Sequence, residues 1–426
     1  MTAAATSAEH HDNHDERDDV VYPQTAAFVL VHLACLGAFF TGVPTKALWL
    51  AFALYWIRMF SATAGYHRYF AHRSFKTSRV GQFLLAILAQ MGAARGVIWW
   101  ASTHRHHHLY SDQPEDVHSP RQKGFWWAHV GWIFSNRADE TKYELVPDLM
   151  KVPELVWLNK YPNVPAAVLA TASFLWMGPA GLIVGFFWST VALYHGTFMI
   201  NSMAHVLGRR RYVTGDDSRN NWFLALVTMG EGWHNNHHHY QRSCRQGFRW
   251  YEVDMTFYIL RAASWLGLVW DLGAPPEEVV ANERPLGRKT LEKVARQLAE
   301  SVPVERLRAQ AREAWAHHPT FADARASVEA FWTQHRAEFA EFAERTRDSI
   351  AHHPRFAEWE ARSAELRAEL AAKVAEFEMP HFPTREELRQ RADRMFAKSP
   401  SMDDVVARAR EIIAESVSLE LALTPA

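Results

Sequence analysis

A chain of 426 residues with a formal net charge of −1 has room for two or three ordinary domains and no global basic field to recruit nucleic acid. Its two cysteines, Cys35 and Cys244, exclude a disulfide framework, a thiolate zinc site and an iron–sulfur centre, and suit a reducing cytoplasm. Aromatic content is 13%, with 18 tryptophans, a residue favoured at membrane interfaces and along apolar tunnels.

Residues 1–22 are polar, with His10, His11 and His14 among acidic neighbours, and read as a disordered head without the basic leader of a signal peptide. Four apolar segments follow, 25–42, 47–65, 163–178 and 181–200, each near the ~20 residues that span a bilayer. They pair into two hairpins, turning at Val43-Pro44-Thr45-Lys46 and at Gly178-Pro179-Ala180-Gly181. Lys46 is the one charge in either turn, while Lys and Arg crowd the regions outside. The positive-inside rule then puts both termini, residues 66–160 and everything after 201 in the cytoplasm. Residues 80–98 are apolar but contain Gln82, Gln90 and Arg95, so they read as an interfacial helix or shallow hairpin. A fifth span would send the histidine clusters to opposite sides.

Those clusters carry the chemistry. His67 and His72 lie five apart where the second span leaves the membrane. His104, His107 and His108 stand at i, i+3 and i+4, on one face of a helix, with His106 on another. The same arithmetic selects His234, His237 and His238 and leaves His239 aside. Asn201 and His205 share a face at the end of the fourth span. Neutral imidazole suits iron, zinc and copper, and nine histidines exceed the four ligands of a closed zinc site. They fit two metals with open positions. Carboxylate di-iron enzymes use two Glu-x-x-His pairs, and only Glu231 and His234 form one here. Asp112, Asp116, Glu231 and Asp217 are acidic candidates to orient the imidazoles, which the sequence does not rank. Trp99, Trp100, Trp126, Trp127, Trp132 and Trp233 are candidates to line a tunnel, with interface anchoring or core packing as the plainer reading of each. A metal carrier would need polar residues within the spans, which hold mainly His32 and Arg58.

The motifs HRYFAH, HRHHH, NSMAH and GEGWHNNHH occur in order between the expected spans and resemble the membrane fatty acyl desaturase family, of the stearoyl-CoA Δ9 type and bacterial in character. The resemblance covers roughly residues 25–270. It implies a di-iron centre, one iron held by His67, His72, His104, His108 and His237, the other by His107, His205, His234 and His238, with Asn201 holding a bound water. It implies O2-dependent abstraction of two hydrogens from adjacent methylenes, giving a cis double bond in a saturated fatty acyl-CoA. The expected fold is an all-α integral membrane protein in the bacterial inner membrane. Its parts are a disordered head (1–22), a desaturase domain of four transmembrane helices with a cytoplasmic helical cap over the di-iron site (23–274), and a charged helical C-terminal extension (275–426). No donor domain is visible, so electrons must come from a separate ferredoxin, rubredoxin or cytochrome b5 type protein with its reductase.

One departure from the family bears on the acyl carrier. In the animal acyl-CoA enzymes an Arg-Asp pair precedes the second histidine box and touches the CoA headgroup; Ser102-Thr103 stands here. Arg68, Arg73, Lys76, Arg121 and Lys123 are candidates for a basic landing patch, for CoA or for anionic lipid headgroups. The rival readings are a desaturase of phospholipid-bound chains and a di-iron hydroxylase of alkyl or sterol substrates. Beyond 275 the chain is rich in Ala, Glu and Arg with helical apolar spacing, as in Leu291-Val294-Leu298 and Val328-Phe331. Ala316-His317-His318-Pro319 recurs as Ala351-His352-His353-Pro354, read as turns between repeated helices rather than as a second metal site. This extension is a candidate docking module for a partner or donor.

Overall fold

The computed structural model describes residues 22–317 and 383–423. The polar head before Tyr22, the steps His318-Pro319 and Ala351-His352-His353-Pro354, and Val328-Phe331 lie outside the described residues. The chain divides into two compact units, one of residues up to Arg211 together with Asp216–Val280, the other of Tyr212–Gly215 together with Ala281 onward.

The first unit is built on long apolar helices. Helix α1 (Tyr22–Ala34) runs on through tighter turns to Thr41, and α2 (Thr45–Phe60) follows after Pro44. Tyr22, which the sequence places in the polar head, already belongs to α1. Helix α2 passes without a break into a π-helical stretch, Ser61–Ala71, in which every residue but Ala62 is buried. The second apolar pair forms one helical run, Val164–His205, interrupted where Met177 leaves helical geometry and Gly178 adopts φ +62°. A Cβ on Gly181 would stand 2.2 Å from the Ser173 carbonyl oxygen, so the chain folds back on itself here and only glycine fits. Among the described residues two helices are long and apolar enough to cross a membrane, Thr45–Ala71 and Val164–His205, of 27 and 42 residues. Phe39 and Phe40 at one hairpin tip and Leu175 and Trp176 at the other are exposed, an apolar surface that water alone would disfavour.

Helix α3 (Arg79–Gln90) starts at Ser78, whose hydroxyl accepts from the Gly81 N–H, and it presents Val80, Leu84 and Leu88 outward on one face. It ends at Gln90, so residues 80–98 are a helix and a turn rather than one element. The turn places Ala93 and Arg95 at positive φ before α4 (Val97–Tyr110), the helix of the second histidine box. The expected all-α architecture is modified by one small ribbon, β1 (Lys76–Thr77) antiparallel to β2 (Val269–Trp270).

The second unit packs α5 (Arg288–Glu300), α6 (Val304–His317), α7 (Arg385–Met395) and α8 (Met402–Leu423) around an apolar core that includes Val294, Leu298, Leu307, Leu388, Val405 and Ile413. Val213, from the short 212–215 segment, is buried in the same core. Thr384 starts α7 with a reciprocal cap to Glu387.

Candidate metal centre

The π-helical stretch settles how His67 and His72 act together. Its wider turn carries i→i+5 hydrogen bonds, as between the His72 N–H and the His67 carbonyl at 3.1 Å, so residues five apart stack on one side. Helix α4 presents His104, His107 and His108 from one face, and the short helix α9 (His234–His239) presents His234, His237 and His238 opposite. His205 enters at the end of the Val164–His205 run.

Nine imidazoles form two cages, His67, His72, His104, His108 and His237 in one and His107, His205, His234 and His238 in the other. Within each, one ligand atom per residue lies within 4.8 Å of all the rest. In the first cage the Nε2 atoms face one another, at 3.0 Å for His67–His237, His237–His108 and His108–His104, and 2.9 Å for His104–His72. In the second, His205 and His234 meet through Nε2 at 3.1 Å. The Nδ1 of His205 stands 2.9 Å from the Asp112 carboxylate, which leaves its Nε2 facing into the cage. The Nε2 of His238 is buried with no hydrogen-bond partner. Ring nitrogens converging this closely, four or five to a cage, fit a cation at the centre of each. His106 faces away and packs on Tyr110.

Carboxylates fix the rings from behind. Asp116 sits 3.0 Å from His107 Nδ1, Asp216 2.8 Å from His238 Nδ1, and Glu231 pairs with His67 Nδ1. Burial alone would raise the Asp116 carboxyl, yet His107 and His118 beside it hold it far below the usual carboxylate range. Glu231 is held at about 2 in the same way, by His67 and Arg68. Burial and the neighbouring imidazoles push His72, His104, His108, His234 and His237 well below 6.5, and His238 to about 4. Those six imidazoles are therefore neutral and ready to ligate at pH 7.

Two assignments from the sequence change. Among the acidic candidates, Asp112, Asp116 and Glu231 back imidazoles, but Asp217 does not: its carboxylate pairs with Arg210, and its neighbour Asp216 holds His238. Nothing in the spacing separates these adjacent aspartates. Arg68 leaves the landing patch, because it is 1% exposed and its guanidinium is clamped by Glu231 and Asp254, each at 2.9 Å. A side chain so enclosed cannot meet a headgroup. Gln246, unremarked in the sequence, donates to Glu231 Oε2 at 3.0 Å and completes that clamp. Arg73 pairs with Asp148 and Lys76 with Asp271, while Arg121 stands 3.9 Å from Asp217 and Lys123 lies over Trp127.

A cavity of about 680 Å³ opens onto the cages through His67, His104, His234 and Asn201. Its walls are mainly apolar, with Phe28, Phe186, Tyr194 and Phe198 from the long helices. Of the six candidate tryptophans, Trp99, Trp100 and Trp132 line it. Trp127 packs against Trp132 and Trp99, Trp126 is exposed, and Trp233 donates to the Val253 carbonyl. Thr103 faces the cavity and Ser102 is buried against the Trp99 carbonyl. A polar zone on the wall holds Arg95, Asp139, Thr141 and Asn159, and Arg95 is a cation the sequence reading did not nominate.

Histidine cages that could hold metal ions, beside a mainly apolar cavity, suit an oxidoreductase of lipid chains, and the fatty acid desaturase profile matches residues 43–267. The chain belongs to the fatty acid desaturase family. It is 38% identical over 251 residues to an acyl-CoA C20 Delta5-desaturase of Anemone leveillei, covering 58% of this chain and 80% of that one. It is 36% identical over 261 residues to an sn-1 stearoyl-lipid 9-desaturase of Anabaena variabilis (59% and 93%), and 34% identical over 258 residues to a hex-5-enoyl-[acyl-carrier protein] acetylenase of Moorena producens (56% and 80%).

Proposed function

We propose that this chain is a membrane-bound fatty acyl desaturase that holds two iron ions and places a cis Δ9 double bond in a saturated fatty acyl-CoA, using O2 and electrons from a separate donor protein. The observation that carries the reading is the pair of buried histidine cages at the wall of a mainly apolar cavity. Redox iron supplies the C–H abstraction that no side chain can perform. The nine histidines hold the two ions, and Asn201 faces the same cavity as a candidate to hold a bound water. The apolar walls position an alkyl chain and keep water from it.

In this reading α1, α2 and the two arms of Val164–His205 are four spans, with Phe39, Phe40, Leu175 and Trp176 in the bilayer, and the cages and both termini face the cytoplasm of a bacterial inner membrane. Ser102 buried against the Trp99 carbonyl and Thr103 facing the cavity, where the acyl-CoA enzymes have Arg-Asp, together with the acyl-lipid relative, favour phospholipid-bound chains as the second reading of the carrier. Arg95, paired with Asp139 and lying over Trp99, is the cation on the cavity wall and the candidate there for either headgroup.

The test is the fatty acid profile, with double-bond positions by mass spectrometry, of a desaturase-deficient host that expresses this chain with a donor system. A new cis monoene, absent in His237→Ala, supports the reading. Hydroxylated chains move the protein to the hydroxylase class, and double bonds confined to phospholipid in a cell-free acyl-CoA assay establish the lipid carrier.

A further inference from the structure

We propose that the two metal ions are electronically unequal and that the ion in the four-histidine cage is the one oxidised first. The inference rests on the iron reading above. Its basis is the unequal distribution of carboxylates behind the rings. Three of four imidazoles in that cage have a carboxylate on Nδ1: Asp116 on His107, Asp112 on His205 and Asp216 on His238. In the five-histidine cage, among the described residues, only His67 has one, from Glu231.

A carboxylate on the far nitrogen draws the Nδ1 proton toward itself and makes Nε2 a stronger electron donor. It also brings a negative charge into a region where charges are weakly screened. The Glu231 charge is offset, because the buried Arg68 guanidinium bonds it through both Nε and Nη2. Besides the imidazoles, Asp112 and Asp116 are met by Ser119 Oγ, the Asp217 N–H, the Asp112 N–H and His118, none of them a guanidinium or an ammonium. The fifth imidazole of the larger cage is a neutral donor and adds no charge. Loss of one electron takes an ion from Fe2+ to Fe3+, with no bond formed or broken, and the extra positive charge is stabilised where the negative charge is concentrated.

The plain alternative is that the carboxylates only orient the rings. Replacing Asp by Asn separates the two roles, since the amide oxygen still accepts from Nδ1–H while the charge is gone. The full-length protein, loaded with 57Fe in detergent, is oxidised stepwise and anaerobically with ferricyanide, which takes the electron, and Mössbauer spectra are recorded at each potential. Two resolved steps are expected. Asp116→Asn and Asp216→Asn raise the potential of the first step at unchanged iron content, and Glu231→Gln leaves that first step in place. Where one aspartate variant loses iron, the other and the unmodified protein still decide. Both irons turning ferric together in the unmodified protein overturns the inference, as does a first step that moves only in Glu231→Gln. Fewer than two irons per chain instead overturns the di-iron reading beneath it.

Discussion

The surroundings of the cages in the first unit, which lie beside an apolar core of their own, and the interior of the C-terminal unit are made of opposite materials. Around the cages the buried side chains are His, Asp, Glu, Arg and Gln, joined by reciprocal hydrogen bonds. The C-terminal unit buries Val, Leu, Ile, Met and Ala and keeps its ion pairs, such as Arg408 with Glu292, toward the surface. A polar interior is costly unless every member is partnered, so removing one group leaves others unsatisfied. An apolar interior loses only the contacts of the group removed. Substitutions should therefore propagate in the first unit and stay local in the second.

The largest expected effect is at a ligand. His237 links His67 and His108 through Nε2 at 3.0 Å to each, so His237→Ala should abolish product and lower bound iron, whereas His239→Ala should retain both. Equal behaviour of the two variants, measured by product yield and metal analysis, would refute the face assignment. Arg68→Met comes next. It leaves Glu231 and Asp254 as buried carboxylates without their cation, a loss of roughly 3–5 kcal/mol read as a fall in melting temperature. A mild effect would return Arg68 to the surface patch.

The metal-free protein should also lose stability in acid, in two windows. Buried histidines with folded values below 6.5, such as His238 at about 4, make the unfolded chain bind more protons as pH falls from 6.5, so stability drops there. Glu231, at about 2 against an ordinary 4.5, adds a loss that begins near pH 4.5. Melting curves of chelator-treated protein at pH 7.5 and 5.5 test this, and the iron-loaded protein should hold its stability further into acid. In the C-terminal unit, Ile413→Ala should cost roughly 2–5 kcal/mol while iron content stays unchanged, the local outcome that an apolar core implies. Iron lost along with that stability would erase the contrast between the units.

How much was legible follows the same divide. The i, i+3, i+4 spacing of the second and third boxes is helix arithmetic, and those residues lie on the faces it names. The five-residue step from His67 to His72 fits no α-helical face; a π-helix, which leaves no mark in composition, brings them together. Backing groups come from distant segments, so Asp216 could not be told from Asp217, and Gln246 gave no signal. Arg68 looked like a surface cation because one-dimensional position carries no burial. Arg95 sat in an apolar run and gained meaning only when a turn at positive φ brought it to the cavity.

The smallest expected effect concerns the remaining landing-patch residues. Lys76 lies on β1, two-thirds exposed, with its ammonium 2.8 Å from Asp271, which is nearly as exposed. Such an exposed pair contributes little, because solvent screens it, and high salt weakens it further. Lys76→Ala should therefore leave the melting temperature and the KM for the acyl substrate almost unchanged. Arg95→Ala, on the cavity wall, should raise KM several-fold (about 1 kcal/mol of lost charge-assisted contact) with less change in kcat. A KM that rises for Lys76→Ala and not for Arg95→Ala would put the headgroup on the outer face of the ribbon, and the polar zone of the cavity would then serve the chain rather than its carrier.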